Sequence, residues 1–598
     1  MRKQICDFAK FKGLAVCANR KMSKISCYVL LDMDGRYHGI DAVDRKLGLI
    51  KLIPDIATFA ATSSRGNAVV DKRCVLFDVS AKHDGYIAGL RMGADMNSVS
   101  CHAVTVFFMH YADDAEFVAQ VLNDLDEYGI KDKDVVSFKI EDECVEDMEY
   151  DWNDWLVSYI ASLKSGRSEA PLIVSSISGE LQESVPEKAG PCIKNVPNDA
   201  KAVFGLGRPC YFTAAKFPSY QSYGFSGGSG LQVGADDGAL LAAGMEFLLS
   251  NPEYRNKDFQ LVYFYDKEVD NIISESLNGD IDMDKLMELD DDVEAHKSVL
   301  SQILSAVMTG KRPFVESDGA MYYMTRFSMP SDGRCYFSNE VYGSYADLVG
   351  NLYEWYSDTC IDTGSHMSCV TKFYNVLLNC VSNPKLPYKK LCEGVDKEFP
   401  VVKTELLNAI YQRRQIPFVL YDRALRHVDT GLTCGDDKFK FTLYAQIIKC
   451  YLLRKGYVIM PAMSNDVSPA YACGKLFAVY EQMQWLYNRK DLNKNLAQSH
   501  FSAAMKQPSV VFPQLASMAV VYFNGLQGGS RVYYTDLIGE ISSEIGTTFP
   551  SRFDDDNKGA FVLGYYQQRA AFRKFYTADK QSDVQADTNI SSEVEDYE

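Results

Sequence analysis

Residues 474–485 of the chain read GKLFAVYEQMQW. In and just beyond this stretch, Leu476, Tyr480, Met483 and Tyr487 recur at intervals of three and four residues. That spacing places the four side chains on one face of an α-helix, and an apolar face of this kind packs against a core. The stretch therefore predicts an amphipathic helix inside a helical part of the protein.

Three more helices are predicted on either side of this stretch. One ends where Arg454 and Lys455 precede Gly456, a typical C-terminal stop signal. Its apolar face consists of Phe441, Tyr444, Ile448, Tyr451 and Leu452. Another begins after Pro508-Ser509 and stops at Gly525, and the last runs from about Lys558 to Tyr576, after three consecutive aspartates that suit a helix N-terminus. Short connections between such helices predict an antiparallel bundle over residues 401–578. The polar, acidic segment 579–598 is predicted to be disordered.

The first 400 residues show the alternating signals of a mixed α/β region. The predicted buried strands are residues 25–33, 74–79, 103–109 and 261–265. The first of them ends at Asp34-Gly35, a pair typical of hairpin turns. A helix is predicted over residues 236–249. The expected fold class is therefore α+β, with a mixed α/β N-terminal region and a C-terminal helical bundle.

Charge is distributed unevenly along the 598 residues. The net charge of −18 argues against a protein coated in nucleic acid, but it permits local basic patches. Residues 401–580 hold 22 Lys and Arg against 15 Asp and Glu, whereas residues 581–598 hold six acids and no Lys or Arg. The N-terminal two-thirds is acidic, and its stretch 141–154 is predicted to be a solvated loop or helix start. Charges at Glu146, Asp147 and Glu149 are a hypothetical docking surface for basic partners.

The sequence lacks the patterns of common enzyme sites. Its eight His form no HxxxH or HExxH pair, and its 16 Cys form no CxxC pair. We expect no catalytic, metal or cofactor site. The glycine-rich run 224–230 (GFSGGSG) lacks the lysine and spacing of a nucleotide-phosphate loop, which leaves a surface loop or a contact with a nucleic-acid backbone. Scattered Cys and the absence of an export signal or membrane-length apolar run predict a cytoplasmic protein.

Five blocks of the C-terminal third, in this order and spacing, resemble the large subunit of type I-C CRISPR Cascade. They are residues 406–426, 443–454, 474–485, 493–516 and 560–572, in which GKLFAVYEQ, PSVVFP and LGYYQQR are the specific runs. Residues 27–39, 75–90 and 220–224 resemble the N-terminal elements of the same family, although Tyr220 and Lys216 stand where the family tends to have Phe and Asn.

The resemblance implies a subunit that reads the protospacer-adjacent motif (PAM) in target double-stranded DNA and helps to open the duplex. It also implies stabilisation of the displaced strand in the R-loop and help in recruiting a helicase–nuclease. The implied partners are a CRISPR RNA-containing complex with backbone, 5′-handle-binding and small subunits. An internal start at Met460 or Met463 would yield the small subunit as a separate product. Residues 1–400 would then read the PAM and dock, while residues 401–578 would resemble the small subunit.

Two sets of residues are candidates for contact with DNA. The PAM candidates are Arg65, Asn67, Lys72, Arg73, Lys216, Ser222, Tyr223 and Gly224. The candidates for a basic track along a DNA strand are Lys449, Arg454, Lys455, Lys475, Arg569, Arg573 and Lys574. Two other functions stay open at this point: a nucleic-acid-processing enzyme with a nonstandard metal site, and a purely structural assembly subunit.

Overall fold

The computed structural model shows two compact units. It describes residues 1–14, 20–43, 49–54, 67, 69–164, 172–184, 192–193, 196–204, 210–212, 232–278, 298–310, 319–328, 335–436, 439–457, 468–488 and 494–594. The first unit comprises residues 1–269 and 320–342, and the second comprises residues 270–319 and 343–598. Strands and helices mix in the first unit and helices dominate the second, which confirms the α+β fold class. The functional division predicted at residue 400 does not follow these unit bounds and stays a prediction.

Helices and strands alternate along the first unit. Its helices are α1 (Arg2–Phe11), α2 (Arg73–Leu76), α3 (Ala81–Asp95), α4 (Val99–Asp113), α5 (Ala115–Glu127), α6 (Glu149–Lys164), α7 (Asn198–Phe204) and α8 (Ala235–Ser250). Its strands are β1 (Arg20–Leu31), β2 (Tyr37–Ala42), β3 (Leu49–Pro54), β4 (Asp71–Lys72), β5 (Val135–Ile140), β6 (Glu143–Cys144), β7 (Leu172–Val174), β8 (Leu181–Glu183), β9 (Cys192–Ile193), β10 (Cys210–Tyr211), β11 (Arg255–Asn256), β12 (Leu261–Tyr265), β13 (Met321–Ser328) and β14 (Tyr336–Ser344).

The hairpin predicted at the start of the chain forms the centre of the first sheet. Strand β1 pairs antiparallel with β2 and β3 and parallel with β5, in the order β2-β1-β5-β4. Gly35 in the turn has φ +74°, and a β-carbon there would collide with the backbone oxygen of Ala103. The turn therefore requires glycine both for its conformation and for its close approach to α4. One core joins this sheet to α3–α6 and includes the fully buried Trp152 and Trp155.

A second sheet has the order β11-β12-β13-β14. All five residues of β12 are buried, which confirms the predicted strand 261–265. Helix α8 confirms the predicted helix 236–249, and it packs with α1 in a core that includes Phe8, Leu248 and Phe264.

Two predicted strands are wrong. Residues 103–109 lie inside α4, whose first turn is capped by the hydroxyl of Ser98 and whose Ala103, Val104, Phe107 and Phe108 are all buried. Residues 74–79 begin in the short helix α2 and continue into a bend. In residues 103–109 burial on several sides produces an apolar run, and such a run does not distinguish a strand from a buried helix. In residues 74–79 only Val75, Leu76 and Phe77 are buried, and a run this short does not settle the type of element.

The acidic stretch 141–154 is also less solvated than predicted. Glu146 is 5% exposed and accepts hydrogen bonds from the Tyr28 hydroxyl at 2.7 Å and the Ser137 hydroxyl at 2.5 Å. Asp151 accepts from the backbone nitrogens of Val99 and Ser100 at 2.7 and 2.9 Å, at the N-terminus of α4. Burial opposes ionisation of Asp151, but hydrogen bonds from the Ser100 hydroxyl, from the Ser98 hydroxyl and from these two backbone nitrogens prevail and lower its pKa. Because Glu146 is buried and hydrogen-bonded inside the first unit, it is not part of an exposed docking surface.

The described residues of the second unit are mostly helical. Its helices are α9 (Ile272–Asn278), α10 (Val299–Thr309), α11 (Tyr345–Thr359), α12 (Phe373–Cys380), α13 (Tyr388–Glu398), α14 (Val402–Tyr411), α15 (Phe418–Cys434), α16 (Phe441–Arg454), α17 (Pro469–Asn488), α18 (Leu496–Lys506), α19 (Pro508–Asn524), α20 (Gly528–Ile545) and α21 (Asp555–Val594), and its short strands are β15 (Ile361–Asp362) and β16 (Met367–Ser368). Helices α16, α17, α19 and α21 confirm the four predicted helices. The bounds of α21 include most of the segment 579–598 for which disorder was predicted.

Helices α17 and α21 cross in backbone contact. A β-carbon on Gly474 of α17 would collide with the backbone oxygen of Phe561, and one on Gly564 of α21 would collide with the backbone oxygen of Tyr471. Glycine at both positions removes the side chains that normally keep two helices about 8–10 Å apart. Both glycines belong to the runs GKLFAVYEQ and LGYYQQR.

Aromatic side chains next to this crossing form a packed core. The ring of Phe477 lies 5.6–6.0 Å from the rings of Phe501, Phe561 and Tyr565. Leu476, Tyr480 and Met483 of the predicted apolar face are buried, as predicted, but Tyr487 is 44% exposed. Tyr487 lies in the last turn of α17, where it contacts the ring of Tyr522 at 5.7 Å instead of the core.

Substitution of Gly564 by alanine tests the crossing. We expect Gly564→Ala to lower the free energy of unfolding by about 1–3 kcal/mol, because the methyl group forces two backbones apart. The control is Gly539→Ala in α20, where a β-carbon meets no atom within 4 Å. That variant should gain about 0.5–1 kcal/mol from its helix propensity. Denaturant unfolding of both variants measures the difference, and equal effects would contradict the close crossing.

Candidate nucleic-acid-binding cleft

Five of the eight PAM candidates cannot be placed. Arg65, Lys216, Ser222, Tyr223 and Gly224 lie outside the described residues, as do the glycine-rich run 224–230 and the candidate start residues Met460 and Met463. Their contact with DNA stays a prediction.

Asn67 and Arg73 make internal contacts in the first unit. The Asn67 side-chain amide donates to the backbone oxygens of Pro54 at 2.5 Å and Val70 at 3.0 Å. The Arg73 guanidinium pairs with Asp126 at 2.6 Å, and its side chain is 13% exposed. A base contact by either residue would require these bonds to break.

Lys72 differs from both of its neighbouring candidates, because it is exposed on β4. The short strand pairs with β5, so the sheet fixes the backbone from which Lys72 projects. Of the described PAM candidates, Lys72 has the surface position that a phosphate contact needs.

Two of the predicted track residues are structural. Lys449 is 5% exposed and donates to the backbone oxygens of Ser357 and Cys360 at the end of α11. Burial lowers its pKa. The Arg454 side chain is 6% exposed and donates to Asp358 at 2.8 Å and to the backbone oxygens of Ala409 and Arg414. Both residues satisfy carbonyl oxygens inside the second unit, so neither lies on a DNA-facing track.

Three more track residues form ion pairs within the second unit. Lys475 contacts both carboxylate oxygens of Glu544 at 3.0 Å, and only about a fifth of each side chain is exposed. Lys455 pairs with Asp556 at 2.5 Å and Lys574 with Asp362 at 3.8 Å. The last two pairs are exposed enough to exchange partners at little cost.

Arg569 and Arg573 face a cleft between α17 and α21. The cleft has a volume of about 320 Å³, which is near the lower end of the range for ligand pockets, roughly 300–1,000 Å³. Its lining consists of Ala478, Glu481, Gln482, Gln484, Trp485, Asn495, Arg569, Phe572 and Arg573. The structure thus brings together only two of the seven track candidates.

A hydrogen-bonded group fixes the closed side of the cleft. The Tyr565 hydroxyl donates to Glu481 at 2.7 Å and accepts from Arg569 at 3.0 Å. The guanidinium of Arg569 lies 5.3 Å from the centre of the Tyr565 ring, in cation–π contact. These contacts hold Arg569 in one orientation and partly neutralise Glu481.

The open side of the cleft contains residues that sequence reasoning missed. Trp485 is 53% exposed, and Gln482 lies one turn before it on the same face of α17. Asn495 caps α18, where its side-chain oxygen accepts from the backbone nitrogen of Gln498 at 2.8 Å. Trp485 stands outside the buried stripe of its helix, and this position off the apolar face was the signal in the sequence. An aromatic ring beside two arginines suits stacking on a base next to a phosphate.

Other kinds of site find no support in the part of the chain that the structure describes. There, no three His, Cys, Asp or Glu side chains are grouped so that they could hold a metal ion. No described helix is both long enough and apolar enough to cross a bilayer. Most described thiols are free and buried, although Cys335 is disulfide-bonded.

Comparison with known proteins gives the family. The family model described as CRISPR-associated protein (Cas_Csd1) matches residues 17–573, so the chain belongs to this family. The match includes most of both units and every residue that lines the cleft. Membership makes the chain a CRISPR-associated subunit of a multi-subunit CRISPR complex. A search of curated proteins found no match.

Alanine substitutions distinguish the structural arginine from the cleft arginine. We expect Arg454→Ala to lower the free energy of unfolding by about 3–5 kcal/mol, because it leaves the partly buried Asp358 and the backbone oxygens of Ala409 and Arg414 without their donor. Arg573→Ala should change it by less than about 0.5 kcal/mol, because Arg573 is exposed. Denaturant midpoints of the two purified variants provide the comparison. A large loss for Arg573→Ala, or none for Arg454→Ala, would be inconsistent with these assignments.

Proposed function

We propose that this member of the Cas_Csd1 family is the large subunit of a type I-C CRISPR RNA-guided surveillance complex in the cytoplasm. The observation that carries the proposal is the family match over residues 17–573. The subunit reads the PAM in double-stranded DNA, promotes opening of the duplex, stabilises the R-loop and helps to recruit the helicase–nuclease. It contributes no catalytic step and no cofactor.

Division of labour explains why so few DNA-reading residues are needed. Guide RNA pairs with the target strand and supplies most of the sequence specificity. The protein then needs only base-edge contacts to a short motif and phosphate contacts that set its position. An acidic chain with a basic C-terminal third is compatible with this limited contact. In the complex, repeated backbone subunits hold the guide RNA, and the other partners are the 5′-handle-binding and small subunits.

The cleft provides a place for the displaced strand. It combines Trp485 with Arg569 and Arg573, the side-chain types that bind single strands by stacking and by charge. Of the seven track candidates, only Arg569 and Arg573 line the cleft, so the strand contact proposed for this unit is confined to it.

The contacts that several basic track candidates make inside the second unit favour a second candidate function. A purely structural assembly subunit would also use Lys449, Arg454 and Lys475 to hold its own helices together. The two functions differ in whether the assembled complex needs this chain to prefer a flanking motif.

Reconstitution tests the proposal directly. The complex is assembled with a CRISPR RNA, with and without this chain, and is bound to duplexes that carry randomised flanking bases. We expect a preference for one short flanking motif that vanishes when this chain is omitted. If the incomplete complex keeps the same preference, the structural candidate is the better account.

Lys72 offers a test at the level of one residue. We expect Lys72→Ala to weaken binding to all flanking sequences alike and to reduce the salt dependence of log K by about one unit, as for one lost phosphate contact. Lys397→Ala, at an exposed position in α13, is the matched control and should leave both quantities unchanged. Titrations at several salt concentrations measure the slopes, and identical slopes for wild type and Lys72→Ala would exclude the contact.

The helical region also allows a separate small subunit. A start at Met460 or Met463 would yield a product that contains α17–α21, and therefore both Gly474 and Gly564. We expect a second, shorter band on a blot against the C-terminal region, and its disappearance when both methionine codons are changed. A single full-length band in the wild type would contradict the internal start.

A further inference from the structure

The exposure of Trp485 is unusual within this chain. The other three tryptophans, Trp152, Trp155 and Trp355, are each about 1% exposed, whereas Trp485 is 53% exposed. An indole ring left in water forgoes the free energy that its burial would give. The ring also lies in the wall of a cleft and not on a flat surface. This placement makes the ring accessible to a flat ligand that enters the cleft.

The opposite wall supplies positive charge at a fixed place. Arg569 and Arg573 are four residues apart on α21 and therefore lie on one face of the helix, with the buried Phe572 beside them. The Tyr565 hydroxyl and Glu481 hold Arg569, so its guanidinium is oriented before any ligand arrives. Preorganisation of this kind lowers the entropy cost of binding.

The remaining polar groups suit the edge of a base. Gln482 lines the cleft with an amide that can both donate and accept. The side-chain oxygen of Asn495 is used in the cap of α18, so Asn495 offers its NH₂ group as a donor. The carboxylate of Glu481 accepts from Tyr565 and is close to Arg569, which limits its repulsion of a phosphate.

We propose that the cleft between α17 and α21 captures one unstacked nucleobase of single-stranded DNA, which stacks on Trp485 while Arg573 and Arg569 bind the adjacent phosphate. The site acts as a clip that holds the displaced strand at one nucleotide. This inference rests on the proposed function and names the part of the strand that the cleft takes. We expect weak selectivity among the four bases, because every base can stack on Trp485 and the amides of Gln482 and Asn495 can hydrogen-bond to the edges of several bases.

Fluorescence of 2-aminopurine tests the clip in the assembled complex. Target duplexes carry a single 2-aminopurine at successive positions of the displaced strand. We expect stacking on Trp485 to quench the base at one position of the R-loop. Trp485→Ala should abolish that quenching, Trp485→Phe should keep part of it, and Val532→Ala should keep all of it, since Val532 is exposed in α20 outside the cleft. Quenching that is absent at every position, or that persists in Trp485→Ala, overturns the proposal.

Affinity for single-stranded DNA gives a second readout. We expect Trp485→Ala to weaken binding of a short single-stranded oligodeoxynucleotide to the complex by about 5- to 150-fold, the range for loss of one stacked base. Arg573→Ala should reduce the salt slope by about 0.7, the value for one phosphate of a single strand. An unchanged affinity in Trp485→Ala would contradict the stacking.

Failure of the clip and failure of the proposed function are separable. If Trp485→Ala keeps its quenching pattern while the flanking-motif preference still depends on this chain, only the clip is wrong. If the motif preference does not depend on this chain, the proposed function is wrong whatever Trp485 does. Should acrylamide fail to quench Trp485 in the complex without DNA, a neighbouring protein subunit fills the cleft and the clip is excluded.

Discussion

The crossing of α17 and α21 at Gly474 and Gly564 is the constraint on which the second unit depends. With no side chain at either position, each helix rests on a backbone oxygen of the other. Gly474 of α17 contacts Phe561 of α21, and the later residue Glu481 of α17 contacts the later residue Arg569 of α21. The two helices therefore run in the same direction. From Gly474, Trp485 is about 16 Å further along its helix, and from Gly564, Arg573 is about 13 Å further along. The crossing therefore sets the distance across the cleft.

Much of the positive charge in the C-terminal third holds this unit together. Buried carbonyl oxygens at the ends of helices need donors, and Lys449 and Arg454 supply them to the ends of α11 and α14 and to Arg414. Lys475 joins α17 to α20 through Glu544. The surplus of basic residues in the sequence thus overstates the charge available to DNA. Two of the basic residues, Arg569 and Arg573, lie in the cleft beside the aromatic ring of Trp485.

Sequence periodicity predicted the helices of the second unit well, because their apolar faces and their Gly and Asp end signals are local. The hairpin at Asp34-Gly35 was also predictable from its turn pair. The helical structure of residues 103–109 was not predictable, since burial on several sides removes the periodicity that distinguishes a strand from a helix. Residues 74–79 were not predictable either, because their buried run of three residues is too short to show a period. The site was harder still. Arg454 is buried because it pairs with Asp358, a residue 96 positions away in the sequence. Neither the composition nor the local sequence predicts such a pairing, so the burial of an individual arginine could not be predicted. Trp485 could have been singled out from its position off the apolar face of α17.

Photo-crosslinking in the assembled complex tests the central claim most directly. Target DNA carries a photoreactive thymine analogue either in the displaced strand or in the flanking motif, and the crosslinked peptides of this chain are mapped. The account predicts crosslinks from the displaced strand to peptides of α17 and α21 around Trp485 and Arg573. From the flanking motif it predicts crosslinks to the first unit. Crosslinks confined to other subunits at both positions would contradict the assignment of this chain as the DNA-reading subunit.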